Sequence, residues 1–330
     1  MNWPIRPAIS VVLPTYQRNR LLKIALKSVE AQTFRDFEVI VCDDADSPQT
    51  RSLVESLKDQ RFRYVGNRSR LGMLRNNLSG FRLAEAPLIA NLHDDDRWAP
   101  EFLNRLSRPL LDDLEISIAF CDQNVIDEAG QRRADLASKL SLRYGRAELQ
   151  DGKYDRPYSL VVHQTIPAVA GSIFRKCVVD FSEFDESVGP AYDLWLSYLA
   201  TKKGSAYFVK EFLVDYRIHS NSQTGIGGIA WSTGSAYCWR MISEDPDYAS
   251  WAAFSRRRMS AGYSQAAATL IETRDASQAR QYAFKGFLAS PQWRSAAILF
   301  ATMLPSGIAR ALRQGWRMRH QRRLSRLPTK

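Results

Sequence analysis

The stretch that decides the fold is residues 9–44, ISVVLPTYQRNRLLKIALKSVEAQTFRDFEVIVCDD. It opens with a short apolar run that stops at Pro14 and closes with a second run, Phe37 to Val41. Between the two runs, Leu21 to Ala31 has apolar residues at helical spacing. Short apolar runs bounded by turn residues are typical of buried strands. The stretch therefore predicts a strand, a helix and a second strand.

The same alternation continues as helix 52–57, strand 62–65, helix 73–84 and strand 87–92. It predicts an α/β fold in which a Rossmann-like, mostly parallel sheet is flanked by helices. Further strands are expected at 116–121, 125–126, 206–209 and 213–218, and the polar segment 132–157 is expected to be rich in loops. From about residue 229 the pattern becomes helical. We predict two domains, residues 1–228 and a helical C-terminal region, 229–330.

Three polar clusters follow predicted strands: Pro14-Thr15-Tyr16, Asp43-Asp44 and Asp94-Asp95-Asp96. Ligands of parallel sheets bind beyond the carboxyl ends of the strands, so these clusters are expected to converge. Adjacent carboxylates repel one another, and a divalent cation with oxygen ligands relieves that repulsion. We therefore predict a Mg²⁺ or Mn²⁺ site that holds a nucleotide diphosphate. The alternative is a solvated turn before a helix.

The other two clusters suit a nucleoside. Carboxylates at Asp43 and Asp44 can accept hydrogen bonds from a base or a ribose, and the ring of Tyr16 can lie beside the base. Arg75 can bind a phosphate oxygen. Each of these residues also fits an ordinary turn or surface position. The sequence contains no G-x-G-x-x-G after a strand, no P-loop and no G-x-S-x-G motif, which disfavours dehydrogenases, P-loop enzymes and serine hydrolases.

Four segments together resemble the family 2 glycosyltransferases, whose fold is termed GT-A. The segment at 10–47 resembles their opening, and RLGMLRNNLSGFRLAEAPLIANLHDDDRWAPEFL (70–103) resembles their helix, strand and acidic motif. FDESVGPAYDLWLSYLA (184–200) and LVDYRIHSNSQT (213–224) match more loosely. The resemblance implies an inverting transfer of a sugar from a nucleotide-sugar donor, with a UDP-sugar favoured, to an acceptor hydroxyl.

The resemblance also implies roles for individual residues. Asp96 is the expected principal metal ligand, with Asp94 and His219 beside it, and His163 is a weaker candidate. Asp193 is the expected catalytic base. The residues expected to bind the donor are Pro14, Thr15, Tyr16, Asp43, Asp44, Arg75, Asp94 and Asp95.

The catalytic base is where the sequence departs from the family. One alignment places the usual base at Ala191, which has no titratable group. Asp193 is the nearest carboxylate, and Asp185 and Glu186 are alternatives. Asp193 also suits the first turn of a helix for electrostatic reasons alone. A non-catalytic nucleotide-sugar-binding protein that retains the fold is therefore the alternative function.

Composition bears on location and partners. The net charge of +11 arises entirely after residue 229, and the residues after Pro305 include eight basic and no acidic ones. A helix predicted at 308–327 carries an apolar stripe with Trp316 among arginines, which favours an anionic membrane surface. Docking of this helix on its own domain is the alternative. We expect no nucleic-acid partner, because the aromatic platform of single-strand binders is lacking.

The remaining sequence features favour a cytoplasmic protein. The four cysteines form no C-x-x-C pair, no secretory signal is recognised, and no apolar run reaches the ~20 residues of a membrane span. We expect a cytoplasmic enzyme, peripheral on the inner face of the membrane, with a glycan or lipid-linked acceptor. Synthesis of cell-surface polysaccharide, lipopolysaccharide or glycolipid would suit it. A nucleotidyltransferase is disfavoured because residues 15–20 contain no glycine.

Overall fold

The computed structural model describes residues 6–218, 228–273, 275–305, 307–309 and 311. The chain divides into two compact units. The first comprises the described residues of Met1–Glu186 and Tyr192–Gly225, and the second those of Ser187–Ala191 and Ile226–Lys330.

The first unit is built on one mixed sheet. Its strands are β1 (Ile9–Thr15), β2 (Phe37–Asp43), β3 (Phe62–Gly66), β4 (Leu88–Asn91), β5 (Arg97–Trp98), β6 (Ile116–Ile126), β7 (Gly152–Tyr154), β8 (Ser172–Arg175) and β9 (Ser205–Arg217). The order is β3-β2-β1-β4-β8-β6-β9-β5, and β7 pairs with β9. The strands β3, β2, β1 and β4 run parallel, whereas β8 is antiparallel to both of its neighbours. The predicted α/β fold with a central sheet flanked by helices is confirmed, although only four of the eight strand pairings in the described residues are parallel.

In the part of the chain that the structure describes, seven α-helices lie between these strands, together with short 3₁₀ helices. The α-helices are α1 (Asn19–Glu30), α2 (Pro48–Glu55), α3 (Met73–Leu83), α4 (Phe102–Asp112), α5 (Ala134–Arg143), α6 (Tyr158–Val162) and α7 (Tyr192–Thr201). The apolar stripe of α1, which includes Leu22, Leu26 and Val29, is fully buried. Helix α3 approaches the sheet closely at Gly80, where an added Cβ would lie 2.4 Å from Cγ1 of Val12.

The middle of this unit differs from the expectations in two details. The strands predicted at 116–121 and 125–126 form one strand, β6, whose pairing with β9 shifts register around Cys121 and Asp122. The charge of Asp122 reads as a break in the sequence, but its carboxylate is buried in an ion pair with Arg146, at 2.7 Å. The segment 132–157, expected to be loop-rich, contains α5 and β7.

The second unit is helical. It contains α8 (Ile229–Glu244), α9 (Ala252–Thr273), α10 (Ala276–Ala289) and α11 (Trp293–Met303), with a short 3₁₀ helix at Pro246–Trp251. Asp275 starts α10 by accepting a hydrogen bond from the backbone N–H of Gln278. Small buried residues such as Ala267 and Ala283 lie between the helices. The predicted helical C-terminal extension is confirmed. Within the described residues, the helices are too short or too polar to cross a membrane.

Candidate active site

The parallel strands bring two of the predicted clusters together at one edge of the sheet. Val12 of β1 pairs with Asn91 of β4. Thr15 and Asp94 each lie three residues after one member of this pair, and Oγ1 of Thr15 donates a hydrogen bond of 2.7 Å to Oδ2 of Asp94. The expected convergence therefore follows from strand register. Burial, and then repulsion from Asp95, raises the pKa of Asp94 to about 6.

Arg18 lies across the acidic segment. Its Nη1 atom is 2.8 Å from Oδ2 of Asp95 and 3.4 Å from Oδ1 of Asp94. A guanidinium group beside these carboxylates lowers the cost of placing three acidic residues in a row. Arg18 was not among the predicted site residues, although it stands two residues after Tyr16.

Asp96 is the most buried of the three carboxylates. Oδ1 accepts a hydrogen bond of 2.8 Å from the backbone N–H of Arg217, whereas Oδ2 has no hydrogen-bond partner among the described residues. Burial, reinforced by repulsion from Asp95, raises the pKa of Asp96 well above its usual value. Buried carboxylate oxygens are normally satisfied, so an orphan at this position fits a site for a cation.

A metal-ligand cluster forms around Asp96. Ligand atoms of His93, Asp95 and Asp96 lie within 4.8 Å of one another. Among the described residues, this cluster omits Asp94, which is held by Thr15 and Arg18. Sequence reasoning missed His93. The signal that could have found it is its position directly before the acidic triplet, because histidine is also a common metal ligand.

His93 is held by helix α7. Its Nε2 atom lies 2.6 Å from the hydroxyl oxygen of Tyr192. Burial lowers the pKa of His93, and this favours the neutral imidazole that a metal ion requires. In the tautomer in which Nε2–H donates to the hydroxyl oxygen, Nδ1 has the free lone pair that metal coordination requires.

Asp43, the last residue of β2, and Asp44, which follows it, accept hydrogen bonds from other parts of the chain. Asp43 accepts hydrogen bonds from the backbone N–H groups of Ala45 and Ser47 and from the hydroxyl of Tyr64. Asp44 accepts from the backbone N–H groups of Leu71 and Gly72, at 2.7 and 2.8 Å. Both carboxylates thus fix the loops at this edge of the sheet, and Asp44 fixes the loop that leads into α3.

That loop places Arg70 beside Tyr16, and Arg75 follows in α3. The guanidinium group of Arg70 lies 4.3 Å from the centre of the Tyr16 ring, and Pro14 is half-buried at the end of β1. Arg75, in the first turn of α3, forms an ion pair with Glu186. Both partners of this pair are more than half exposed, so the pair contributes little to stability and can open for a ligand.

The predicted base, Asp193, lies in the first turn of α7, next to Tyr192. Its side chain is solvent-exposed, yet desolvation by the surrounding protein raises its pKa. Ala191 is buried and has no group that could accept a proton. His163 is exposed and bonds the carbonyl of Ser159 through Nδ1, at 2.8 Å. His219 lies outside the described residues.

Arg217 is a third residue that sequence reasoning missed. It is buried, and its Nε atom donates to the carbonyl oxygen of Asp95, at 2.8 Å. Its Nη1 atom donates to the carbonyl oxygens of Asp127 and Glu128. Arg217 therefore ties the acidic segment to the turn after β6. It stands within the quoted 213–224 segment, but nothing in the sequence shows where a buried arginine points.

Comparison with known proteins identifies a segment of the first unit. Residues 10–166 match the family model described as glycosyl transferase family 2. This segment is a family 2 glycosyltransferase domain. The matched range includes the acidic segment and ends before Asp193. The predicted family and the assignment as a transferase are confirmed.

Relatives of this glycosyltransferase carry related names. The GalNAc(5)-diNAcBac-PP-undecaprenol beta-1,3-glucosyltransferase of Campylobacter jejuni is 28% identical over 225 residues, which are 67% of this chain and 68% of that protein. A validoxylamine A glucosyltransferase of Streptomyces hygroscopicus is 40% identical over 103 residues, 29% of this chain and 22% of that protein.

Solved structures show the same fold. Staphylococcus aureus TarS 1-349 in complex with UDP-GlcNAc gives a TM-score of 0.63 at 14% identity, over 92% of this chain and 87% of that one. The mannosyltransferase PcManGT of Pyrobaculum calidifontis, in complex with GDP-Man and Mn²⁺, gives 0.55 at 17% identity, over 94% and 88%. The glycosyltransferase has the predicted GT-A type fold.

Proposed function

We propose that the protein transfers a sugar, with inversion, from a nucleotide-sugar donor to an acceptor hydroxyl. The observation that carries the proposal is the cluster of His93, Asp95 and Asp96 at the carboxyl edge of a parallel sheet, within a family 2 domain. Nucleotide ligands of parallel α/β sheets bind at this edge. A diphosphate there would meet the ligand set and the guanidinium of Arg18.

The residues of the cluster fit a divalent cation. Oδ2 of Asp96 is a buried acceptor without a partner among the described residues, and His93 adds a nitrogen ligand. Mg²⁺ prefers oxygen ligands alone, so Mn²⁺ is the first ion to test. When bound, such an ion neutralises the charge of the leaving diphosphate. Asp94 and His219 remain proposed participants, Asp94 through its position beside Thr15.

The donor nucleoside is proposed to lie over the ends of β1 and β2. The base would stack on Tyr16, next to Arg70, with Pro14 and Thr15 beneath the ribose. Asp43 and Asp44 shape this pocket by holding its loops, and Arg75 is freed for a phosphate oxygen when its ion pair with Glu186 opens. A UDP-sugar is favoured, since the TarS complexes contain UDP-GlcNAc and UDP.

The transfer step is proposed to use Asp193 as the base. The carboxylate takes the proton of the acceptor hydroxyl, whose oxygen then attacks the anomeric carbon. The new bond forms on the face opposite the leaving diphosphate, so the configuration inverts. A raised pKa suits this role because a base is most effective when its pKa approaches the working pH.

The acceptor is proposed to be a growing glycan or a lipid-linked one, in the synthesis of cell-surface polysaccharide, lipopolysaccharide or glycolipid. The name of the Campylobacter jejuni relative specifies an undecaprenol-linked acceptor. A cytoplasmic protein that is peripheral on the inner face of the membrane, without a nucleic-acid partner, would meet both a soluble donor and such an acceptor.

Calorimetric titration tests the donor site. UDP-, GDP- and dTDP-sugars are titrated into the wild type, Asp96→Ala and the control Asp112→Ala, with and without Mn²⁺. Asp112 is an exposed residue of α4. We expect one nucleotide class to bind in a Mn²⁺-dependent way to the wild type and the control but not to Asp96→Ala. Absence of binding to a folded wild type would contradict the proposal. Binding without any transfer to acceptors would support the alternative of a non-catalytic binding protein.

A further inference from the structure

The second unit carries a concentration of exposed apolar side chains. Seven large apolar residues are exposed across residues 6–218, and these are scattered along the chain. Six more are exposed within the 25 residues from 284 to 308. They are Phe284, Leu288, Trp293, Phe300, Met303 and Ile308. Single exposed apolar residues are ordinary, whereas a local concentration marks an interaction surface.

Helical periodicity places these residues away from the packed sides of α10 and α11. Phe284 and Leu288 are four residues apart, so they share one side of α10. The buried residues of that helix, Ala279, Ala283 and Gly286, lie on the opposite side. Both helices thus pack within the unit through one side and expose an apolar stripe on the other.

The exposed apolar stripe of α11 has larger side chains than that of α10. Trp293 and Phe300 are seven residues apart, on the side opposite the buried residues Ser295, Ile298 and Thr302. Their exposed fractions are 75% and 62%, which is unusual for aromatic residues of this size.

The charged residues within α10 and α11 have a single sign. Residues 276–330 contain eleven lysines and arginines and no aspartate or glutamate. Three of these basic residues, Arg280, Lys285 and Arg294, are exposed on α10 and α11 themselves. Exposed tryptophan and phenylalanine beside basic side chains suit a bilayer interface, where rings enter the headgroup region and cations meet anionic lipids.

We infer that α10 and α11 form the surface by which the protein lies on an anionic lipid bilayer. The inference deepens the proposed function, since it names the partner of a transferase with a membrane-embedded acceptor. An anionic bilayer matches the combination of apolar stripes and positive charge. The apolar side chains enter the bilayer and the basic side chains are attracted to anionic headgroups, and neither contribution requires a protein partner of complementary shape.

Co-sedimentation of the full chain with lipid vesicles tests this surface. Vesicles of phosphatidylcholine with phosphatidylglycerol are compared with vesicles of phosphatidylcholine alone. The test variant is the pair Trp293→Ser and Phe300→Ser. The matched control is the pair Leu114→Ser and Leu142→Ser, which removes exposed apolar side chains from the first unit. Sedimentation velocity without vesicles reports self-association, and transfer to a water-soluble acceptor reports the proposed activity separately.

We expect the wild type and the control pair to bind the anionic vesicles, and the test pair to partition about tenfold less. Binding to neutral vesicles should be weaker than binding to anionic vesicles. High salt should weaken binding to the anionic vesicles. The inference is overturned if the test pair binds like the wild type or if lipid charge has no effect. It is also overturned if the wild type forms a dimer that the test pair abolishes, because a second copy then covers this surface.

Discussion

The hydroxyl oxygen of Tyr192 lies 2.6 Å from Nε2 of His93. The two residues are 99 positions apart, and Tyr192 immediately precedes the proposed base, Asp193. Asn77 hydrogen-bonds the same hydroxyl group, and burial raises the pKa of Tyr192, so the phenol stays protonated. The first turn of α7 therefore carries the candidate base, Asp193, and also a residue, Tyr192, that orients the candidate metal ligand His93.

The first prediction follows from this contact. Tyr192→Phe removes only the hydroxyl group, so the imidazole of His93 loses the partner that fixes its ring and tautomer. Loss of such a partner typically lowers metal affinity about 10–100-fold. We expect weaker Mn²⁺ binding, measured by the electron paramagnetic resonance signal of free Mn²⁺.

Tyr207→Phe is the matched control. Its hydroxyl group bonds Asp151 at the surface, remote from the acidic segment in the sheet. Wild-type Mn²⁺ affinity in Tyr192→Phe would refute the positioning role. His93→Ala tests separately whether His93 is a metal ligand at all, because unchanged Mn²⁺ binding in that variant would remove His93 from the ligand set.

The second prediction concerns the buried carboxyl group of Asp96. Its pKa is raised above the ordinary 3.8 of the unfolded chain, so the folded state binds this proton more tightly. Ionisation of the group therefore lowers the stability of the fold as the pH rises above 3.8. In metal-free buffer at neutral pH, Asp96→Asn should unfold at a higher temperature than the wild type. A gain of about 1 kcal/mol corresponds to about 2–4 °C.

Thermal unfolding with and without Mn²⁺ checks this prediction. The ion should raise the Tm of the wild type but leave that of Asp96→Asn unchanged, since a ligand stabilises only the state that binds it. Asp112→Asn, at an exposed position, should behave like the wild type. Equal stabilisation of Asp96→Asn by Mn²⁺ would exclude Asp96 as a ligand.

The fold was predictable because its signals are local. The apolar runs that became β1, β2 and β4 are buried along almost their whole length, and apolar residues at helical spacing lie between them. The pattern failed at Asp122, where a charge within a strand looks like a boundary. Its partner Arg146 is 24 residues away, and local sequence does not reveal such a pairing.

The site was less predictable than the fold. Strand ends located Thr15 and Asp94, because parallel register alone brings them together. The roles of His93 and Arg217 depend on contacts across more than 90 residues, and no periodicity encodes them. Asp43 and Asp44 were predicted to face a nucleoside, but their backbone partners emerge only from the conformation of the loops.

The third prediction concerns the base. Asp193→Asn should lower kcat by about 10²–10⁴-fold while donor binding stays within about twofold of the wild type. Desolvation raises the pKa of Asp193, and the deprotonated form is the active one. Activity should therefore fall as the pH decreases through an acidic pKa above 3.8, and a pH profile of kcat/KM measures it.

Two parallel variants make this result decisive. Asp185→Asn and Glu186→Gln remove the alternative carboxylates and should retain near wild-type kcat. A large loss in one of them, with activity kept in Asp193→Asn, would move the base to that residue. Full activity in all three variants would refute a carboxylate base from this segment.

The last prediction concerns Arg217, whose guanidinium group donates to three backbone carbonyl groups. Arg217→Met keeps much of the side-chain volume but leaves these carbonyls without their donor. Loss of a buried, charged hydrogen-bonding group costs about 3 kcal/mol or more. We expect a lower urea midpoint of unfolding. We also expect weaker Mn²⁺ binding, because the carbonyl of Asp95 loses its hydrogen-bond donor.

Arg132→Met is the control. It removes a largely exposed arginine that bonds Asp215 at 3.1 Å, and it should lower the free energy of unfolding by less than about 1 kcal/mol. Equal midpoints for the two variants would show that Arg217 contributes no more than a surface ion pair.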